Sequence, residues 1–154
     1  MMKDQILKTA SVEIEVPFFD IDVMDIVWHG HYVKYFEITR CELLKQIDYD
    51  YQTMRESGYI WPVVDMRLKY IASATFGQKI TVTANLVEYE SRIKINYLIT
   101  DSQTGKKLTK GYTVQVALDA KTNEMQYQSP AILLEKLGID VRSAVTAEAG
   151  SDNG

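Results

Sequence analysis

The sequence predicts an α+β domain in which one long apolar helix lies against a curled antiparallel sheet of about five strands. Three observations lead there. After Gly30 the apolar residues fall at three-to-four spacing, the period of a helix. Before Pro17 and after Trp61 they alternate instead, as half-buried strands do. The links between the later alternating runs are short turns, and short turns join antiparallel neighbours.

Val12, Ile14 and Val16 alternate with Ser11, Glu13 and Glu15, giving a first strand closed by Pro17. Phe18 to His29 has no clean period and is rich in aspartate and aromatic residues, so it reads as a functional loop. Tyr32, Tyr35, Phe36, Thr39, Leu43 and Ile47 then mark one helix face, thickened by Val33, Ile38 and Leu44. A helix so apolar is expected to be buried on most sides, with Lys34, Glu37, Arg40 and Glu42 as its few polar positions. Asp48 to Gly58 reads as a turn and a short helix. Four strands follow, carried by Val64–Tyr70, Ile80–Leu86, Ile93–Ile99 and Tyr112–Leu118. The alternating residues of the last are Tyr112, Val114, Val116 and Leu118. Turns fall at 74–77, 90–91 and 101–105, and the alternation slips near Leu86-Val87-Glu88-Tyr89, as at a bulge. Residues 130–137 suggest a short terminal helix. Residues 1–140 form the domain, and 141–154, small and polar, are expected to be a disordered tail.

The chain has 154 residues, enough for one domain that needs no disulfide staple. Its net charge of -4 argues against a nucleic-acid protein but leaves room for a local basic patch. The lone Cys41 points to a reducing compartment, the cytoplasm, and is expected to be a half-buried helix residue rather than a nucleophile. No apolar signal core follows Met1, and no run is long enough to span a bilayer.

The informative segment is Asp20-Ile21-Asp22-Val23-Met24-Asp25-Ile26-Val27-Trp28-His29-Gly30-His31-Tyr32. It sets three carboxylates and two histidines just before a long helix. Unpaired N–H groups at a helix start can polarise a carbonyl and stabilise the oxyanion formed on attack. A carboxylate beside them can attack that carbonyl or take a proton from water. A thioester suits such a site, because its thiolate leaves with little acid assistance.

Asp20-x-Asp22, Ile26-Val27-Trp28-His29 and Tyr32-x-x-Tyr35-Phe36-Glu37 together resemble the signature of the 4-hydroxybenzoyl-CoA thioesterase family. The similarity is strongest to the acyl-CoA thioesterase branch associated with the Tol–Pal cluster. Leu68 to Gly77 also resembles that family's second-strand segment. The resemblance implies a hotdog fold, with active sites at a dimer interface and no cofactor. It implies that Asp22 is the catalytic carboxylate and that the backbone N–H at His29 polarises the thioester carbonyl. Whether the aspartate attacks or activates water stays open. The chain departs from the family at Asp25, where Gly is usual, and at Gln78, where Asp often follows the Phe-Gly pair. Aspartate tolerates the left-handed region better than most residues, so the loop need not be broken.

Other residues are candidates with bland alternatives. Trp28 lines either the acyl pocket or the core, and Asp25 adds a charge near the acyl group. Glu37 is either a second polar group of the site or simply exposed. Lys69 and Arg92, with Arg67 and Lys94, are candidates for binding the phosphates of a coenzyme A or phosphopantetheine arm, or else form a solvated strand face. Asp20 reads as a loop-holding residue. A metal on His29 and His31 is a minor alternative, since i, i+2 histidines at a helix start point to different faces. The substrate is an acyl-CoA or an acyl carrier protein thioester, and a single sheet with an open edge calls for a homodimer or homotetramer. Two other functions share these features: a hotdog 3-hydroxyacyl-thioester dehydratase, and a binding protein whose site Asp25 has spoiled.

Overall fold

The computed structural model describes residues 5–140. The tail expected at 141–154 lies outside the described residues. Strand β1 spans Lys8–Glu15. The long helix α1 (His31–Gln46) follows, then the short helix α2 (Tyr51–Glu56). β2 is the two-residue strand Tyr59–Ile60. The main strands are β3 (Val63–Tyr70), β4 (Lys79–Glu88), β5 (Ile93–Asp101) and β6 (Lys107–Gln115). β7 (Leu118–Asp119) and α3 (Ala131–Lys136) complete the domain. One five-stranded sheet has the order β1-β4-β5-β6-β3, all antiparallel, and β2 pairs with β7 apart from it. The expected α+β architecture is observed. No helix among the described residues is long and apolar enough to cross a membrane.

The middle of the sheet follows the alternation closely. Ile80, Val82, Ala84 and Leu86 of β4 and Ile93, Ile95, Tyr97 and Ile99 of β5 are buried against α1. Phe36 of α1 stacks on Tyr97 with ring centroids 4.3 Å apart, a contact of about 1 kcal/mol beyond its buried area. The expected bulge falls between Leu86 and Glu88. Cys41 is half-buried, as expected.

β6 departs from the reading. It begins at Lys107 and ends at Gln115, and its phase is reversed. The register pairs Ile95 with Thr113, Tyr97 with Gly111 and Ile99 with Thr109, so small and polar residues face the helix while Tyr112 and Val114 face away. Gly111 is required, because a Cβ there would lie 2.1 Å from the Arg67 carbonyl oxygen of β3 and 3.0 Å from Phe36. The core also holds a buried charge on α1, Arg40. Read as one of the few polar positions of α1, it is 2% exposed. Its guanidinium donates to the Tyr51 hydroxyl at 2.7 Å and to Glu37 Oε1 at 3.4 Å. Burial disfavours its charge, but Tyr97, Tyr51 and Glu37 outweigh this and raise its pKa above the ordinary value.

β3 is the other departure. It forms an edge of the sheet, and α1 lies nearest β1 and β4. The helix-side residues Val63, Met66 and Tyr70 are therefore 39%, 42% and 49% exposed.

Candidate active site

The loop between β1 and α1 is built around two aspartates. Pro17 closes β1, and Phe18–Asp20 forms one 3₁₀ turn. Asp20 then turns inward and is 1% exposed. Its carboxylate accepts from Lys34 Nζ and from the Tyr35 hydroxyl, each at 2.6 Å. Burial alone would raise its pKa, but these two donors and the Lys34 charge hold the carboxyl below its ordinary value. The Asp20 carbonyl also accepts from Trp28 N–H at 3.0 Å, which pins both ends of the loop.

Between those ends runs a small hairpin, bridged Ile21 to Val27. Asp22 N–H donates to Ile26 O at 2.9 Å, and Asp25 N–H donates to Asp22 O at 3.1 Å. This is a three-residue hairpin loop whose last position must be left-handed. Asp25 occupies it, with φ 64°. The aspartate thus adopts the conformation for which glycine is usual, and the loop is kept. Ile26 bridges Thr75, and Val27 N–H donates to Ala74 O at 2.9 Å, so the hairpin is tied to the segment after β3.

Asp22 stands at the base of this hairpin, half-buried. Oδ1 accepts from Met24 N–H at 2.8 Å. Among the described residues Oδ2 has no hydrogen-bond partner. The carboxylate lines a cleft of about 240 Å³ with His29, Tyr32, Tyr70 and Ser73, walled by Met24, Ile26 and Val27. Tyr32 is buried and its hydroxyl accepts from Ala74 N–H at 3.1 Å. Burial, then the nearby Tyr70 and Asp22, push its pKa up, so it stays a neutral phenol.

Helix α1 starts at the same cleft. Gly30 precedes its first residue, and a Cβ on Gly30 would lie 2.2 to 2.8 Å from the Trp28 ring, which folds over the helix start. Among the described residues no acceptor is paired with the His29 and Gly30 N–H groups. The Tyr70 hydroxyl donates to the His29 carbonyl at 2.9 Å. A trans peptide is planar, so holding that oxygen turns the Gly30 N–H the opposite way.

The structure therefore places Asp22 and His29 in one cleft. Trp28 adjoins them, 48% exposed, with its ring 5.0 Å from that of His29 and 5.3 Å from that of His31. His31 turns to Asp20, with Nδ1 at 3.8 Å, and does not join His29. Asp25 is exposed at the hairpin turn. Glu37, Lys69 and Arg92 do not line this cleft. Glu37 is exposed beside Arg40, and Arg92 pairs with Glu88 at 2.9 Å where β4 turns into β5. Lys69 points to the sheet face away from α1. Tyr70 and Ser73 also line the cleft; the sequence places both in the Leu68 to Gly77 segment that resembles the family but assigns neither a role in the site.

The model of the thioesterase-like superfamily matches residues 16–145. The chain belongs to that superfamily. It is a thioester hydrolase with the hotdog fold. It is 26% identical over 131 residues to sll0410 of Synechocystis, named as an esterase, covering 84% of this chain and 79% of that one. It is 32% identical over 83 residues to YneP of Bacillus subtilis, named as an acyl-CoA thioesterase, covering 54% of this chain and 60% of that one. The fold also matches the Synechocystis 1,4-dihydroxy-2-naphthoyl-CoA thioesterase Slr0204, with TM-score 0.76, 17% identity, and 87% and 98% of the two chains covered.

Proposed function

We propose that this thioesterase hydrolyses acyl-coenzyme A thioesters, with Asp22 as the reacting carboxylate and the N–H groups at the start of α1 as the donors to the thioester carbonyl. The single observation that carries the reading is the Asp22 carboxylate, one oxygen held and the other open, in one cleft with the helix start. The thioester carbonyl would accept from the His29 N–H, and charge developing on its oxygen would be stabilised there. The ionised Asp22 either attacks the carbonyl carbon, expelling the thiolate and leaving an anhydride for water to open, or takes a proton from the attacking water. Both routes give the free acid and the thiol, and both need the carboxylate ionised. The CoA thioesterase names of YneP and Slr0204 support coenzyme A as the carrier. The lone Cys41 fits a reducing cytoplasm.

A second copy of the chain completes this reading. β3 is an edge strand whose apolar residues Val63, Val64 and Met66 are 39%, 56% and 42% exposed, with Ile71 just beyond it at 48%. Edges of this kind invite strand pairing. We read the active unit as a homodimer, alone or doubled into a tetramer, with β3 at the interface and Tyr70 of that strand in the cleft. Light scattering of the active enzyme is expected to give a dimer or tetramer, and an active monomer would overturn this reading.

The spoiled-site alternative loses its motive, because Asp25 sits in the left-handed turn without breaking the hairpin. The dehydratase alternative gains no support, since no proline stands at the start of α1. Thiol release from a panel of acyl-CoAs tests the proposal. Turnover by the native chain and its loss in Asp22→Asn support it; native inactivity across the panel overturns it.

A further inference from the structure

The outer face of the sheet carries a cluster of cations that the hydrolytic cleft does not use. β3 turns Arg67 and Lys69 outward, while its neighbour Tyr70 faces the Asp22 cleft. In the register, Lys69 lies directly opposite Lys110 of β6, and Arg67 directly opposite Tyr112. With Asn96 of β5 these residues line a cleft of about 340 Å³, within the roughly 300–1,000 Å³ of small-molecule sites. Lys94 lies over the Tyr112 ring, 4.9 Å from its centroid. Among the described residues none of Arg67, Lys69, Lys94 or Lys110 has a carboxylate within ion-pair distance. Like charges directly opposite in a sheet destabilise it. Asp65 of β3 shares this face and accepts from the Tyr112 hydroxyl at 3.3 Å, but it pairs with none of the four cations. An acidic chain, net charge -4, thus holds Lys69 and Lys110 side by side at a cost to the fold.

The spacing fits a compact polyanion. Residues alternating on one strand face are about 6.6 Å apart, and directly opposed side chains start about 5 Å apart. Arg67, Lys69 and Lys110 therefore span the width of two neighbouring phosphate groups. A second copy of this face is a poor occupant, because it would set cations against cations. We infer that the outer cleft of Arg67, Lys69, Lys110 and Tyr112 is a binding site for a small ligand carrying at least two clustered phosphates, with Lys94 adding charge at its rim. Arginine and lysine supply the charge-assisted donors that phosphate oxygens accept. Two sources share this chemistry: the nucleotide end of a coenzyme A thioester, which rests on the proposed substrate, and a free nucleotide polyphosphate, which does not.

Calorimetric titration with adenosine 3′,5′-bisphosphate and with inorganic pyrophosphate tests the site without turnover. The native chain is expected to bind at least one of the two saturably. Lys69→Ala/Lys110→Ala should weaken binding at least tenfold while its melting temperature holds or rises, since a like-charge pair has been removed. Lys121→Ala, an exposed cation in another turn, should bind as the native chain does. Absence of saturable binding of both probes, or equal binding by the double variant, would overturn the inference. Competition then identifies the source. Bisphosphate that raises KM for acyl-CoA identifies the substrate's own nucleotide; bisphosphate that binds without competing identifies a separate ligand. If the chain binds bisphosphate but hydrolyses no acyl-CoA, the proposed substrate fails and the phosphate site stands.

Discussion

Asp20 and Asp22 stand two residues apart in one loop and meet opposite surroundings. Asp20 is sealed from solvent, and Lys34 and Tyr35 hold both of its oxygens. Asp22 is half-buried, and one oxygen faces a cleft. A carboxylate with a donor on each oxygen is suited to holding structure; one that keeps an oxygen open is suited to the role proposed for Asp22. Environment, not residue type, divides the two.

The widest separation between the two should come from Asp22→Asn. Asparagine keeps the shape and the hydrogen bond from Met24 N–H but loses the charge. The kcat for thiol release should fall at least about a hundredfold, roughly 2.7 kcal/mol of barrier, with the melting temperature unchanged. Near-native turnover would remove Asp22 from the reaction.

Asp20→Asn should do the reverse, costing about 3 kcal/mol of stability in denaturant unfolding. Because the folded pKa of Asp20 lies below the ordinary value, its contribution is complete above about pH 3.9 and is lost as pH falls through the lower folded value. The stability gap between native chain and variant should be constant at neutral pH and narrow in acid. A gap that widens in acid would contradict the assignment.

Smaller effects sharpen the comparison. Tyr70→Phe removes the hydroxyl that holds the His29 carbonyl and should lower kcat about tenfold, with KM little changed. A rise in KM alone would give Tyr70 a binding role instead. Asp25→Gly should leave kcat within about twofold and raise stability by at most about 1 kcal/mol, because glycine meets no penalty in the left-handed turn.

The sequence made some of this legible and hid the rest for physical reasons. β4 and β5 are covered by α1, so their alternation and the bulge at Leu86 could be read directly. β6 could not. Its apolar Tyr112 and Val114 lie on the outer face, and its helix side carries Thr109, Gly111, Thr113 and Gln115 instead. Alternation reports which residues share a face but not which face meets the helix. Asp22 and His29 could be proposed from the sequence because the loop, the helix start and the family signature coincide in one short stretch. Tyr70 was hidden because its partner, the His29 carbonyl, lies 41 residues away.

The measurement that tests the central claim most directly is a pH–rate profile of thiol release from the native chain, repeated after prolonged chelation on enzyme of known metal content. If the ionised Asp22 carries the reaction, the rate should rise from acid through a single carboxylate titration to a plateau. The residual rate of Asp22→Asn should lack that limb, and chelation should change neither curve. A limb that persists in Asp22→Asn, or activity lost on chelation and restored by zinc or iron, would contradict the account.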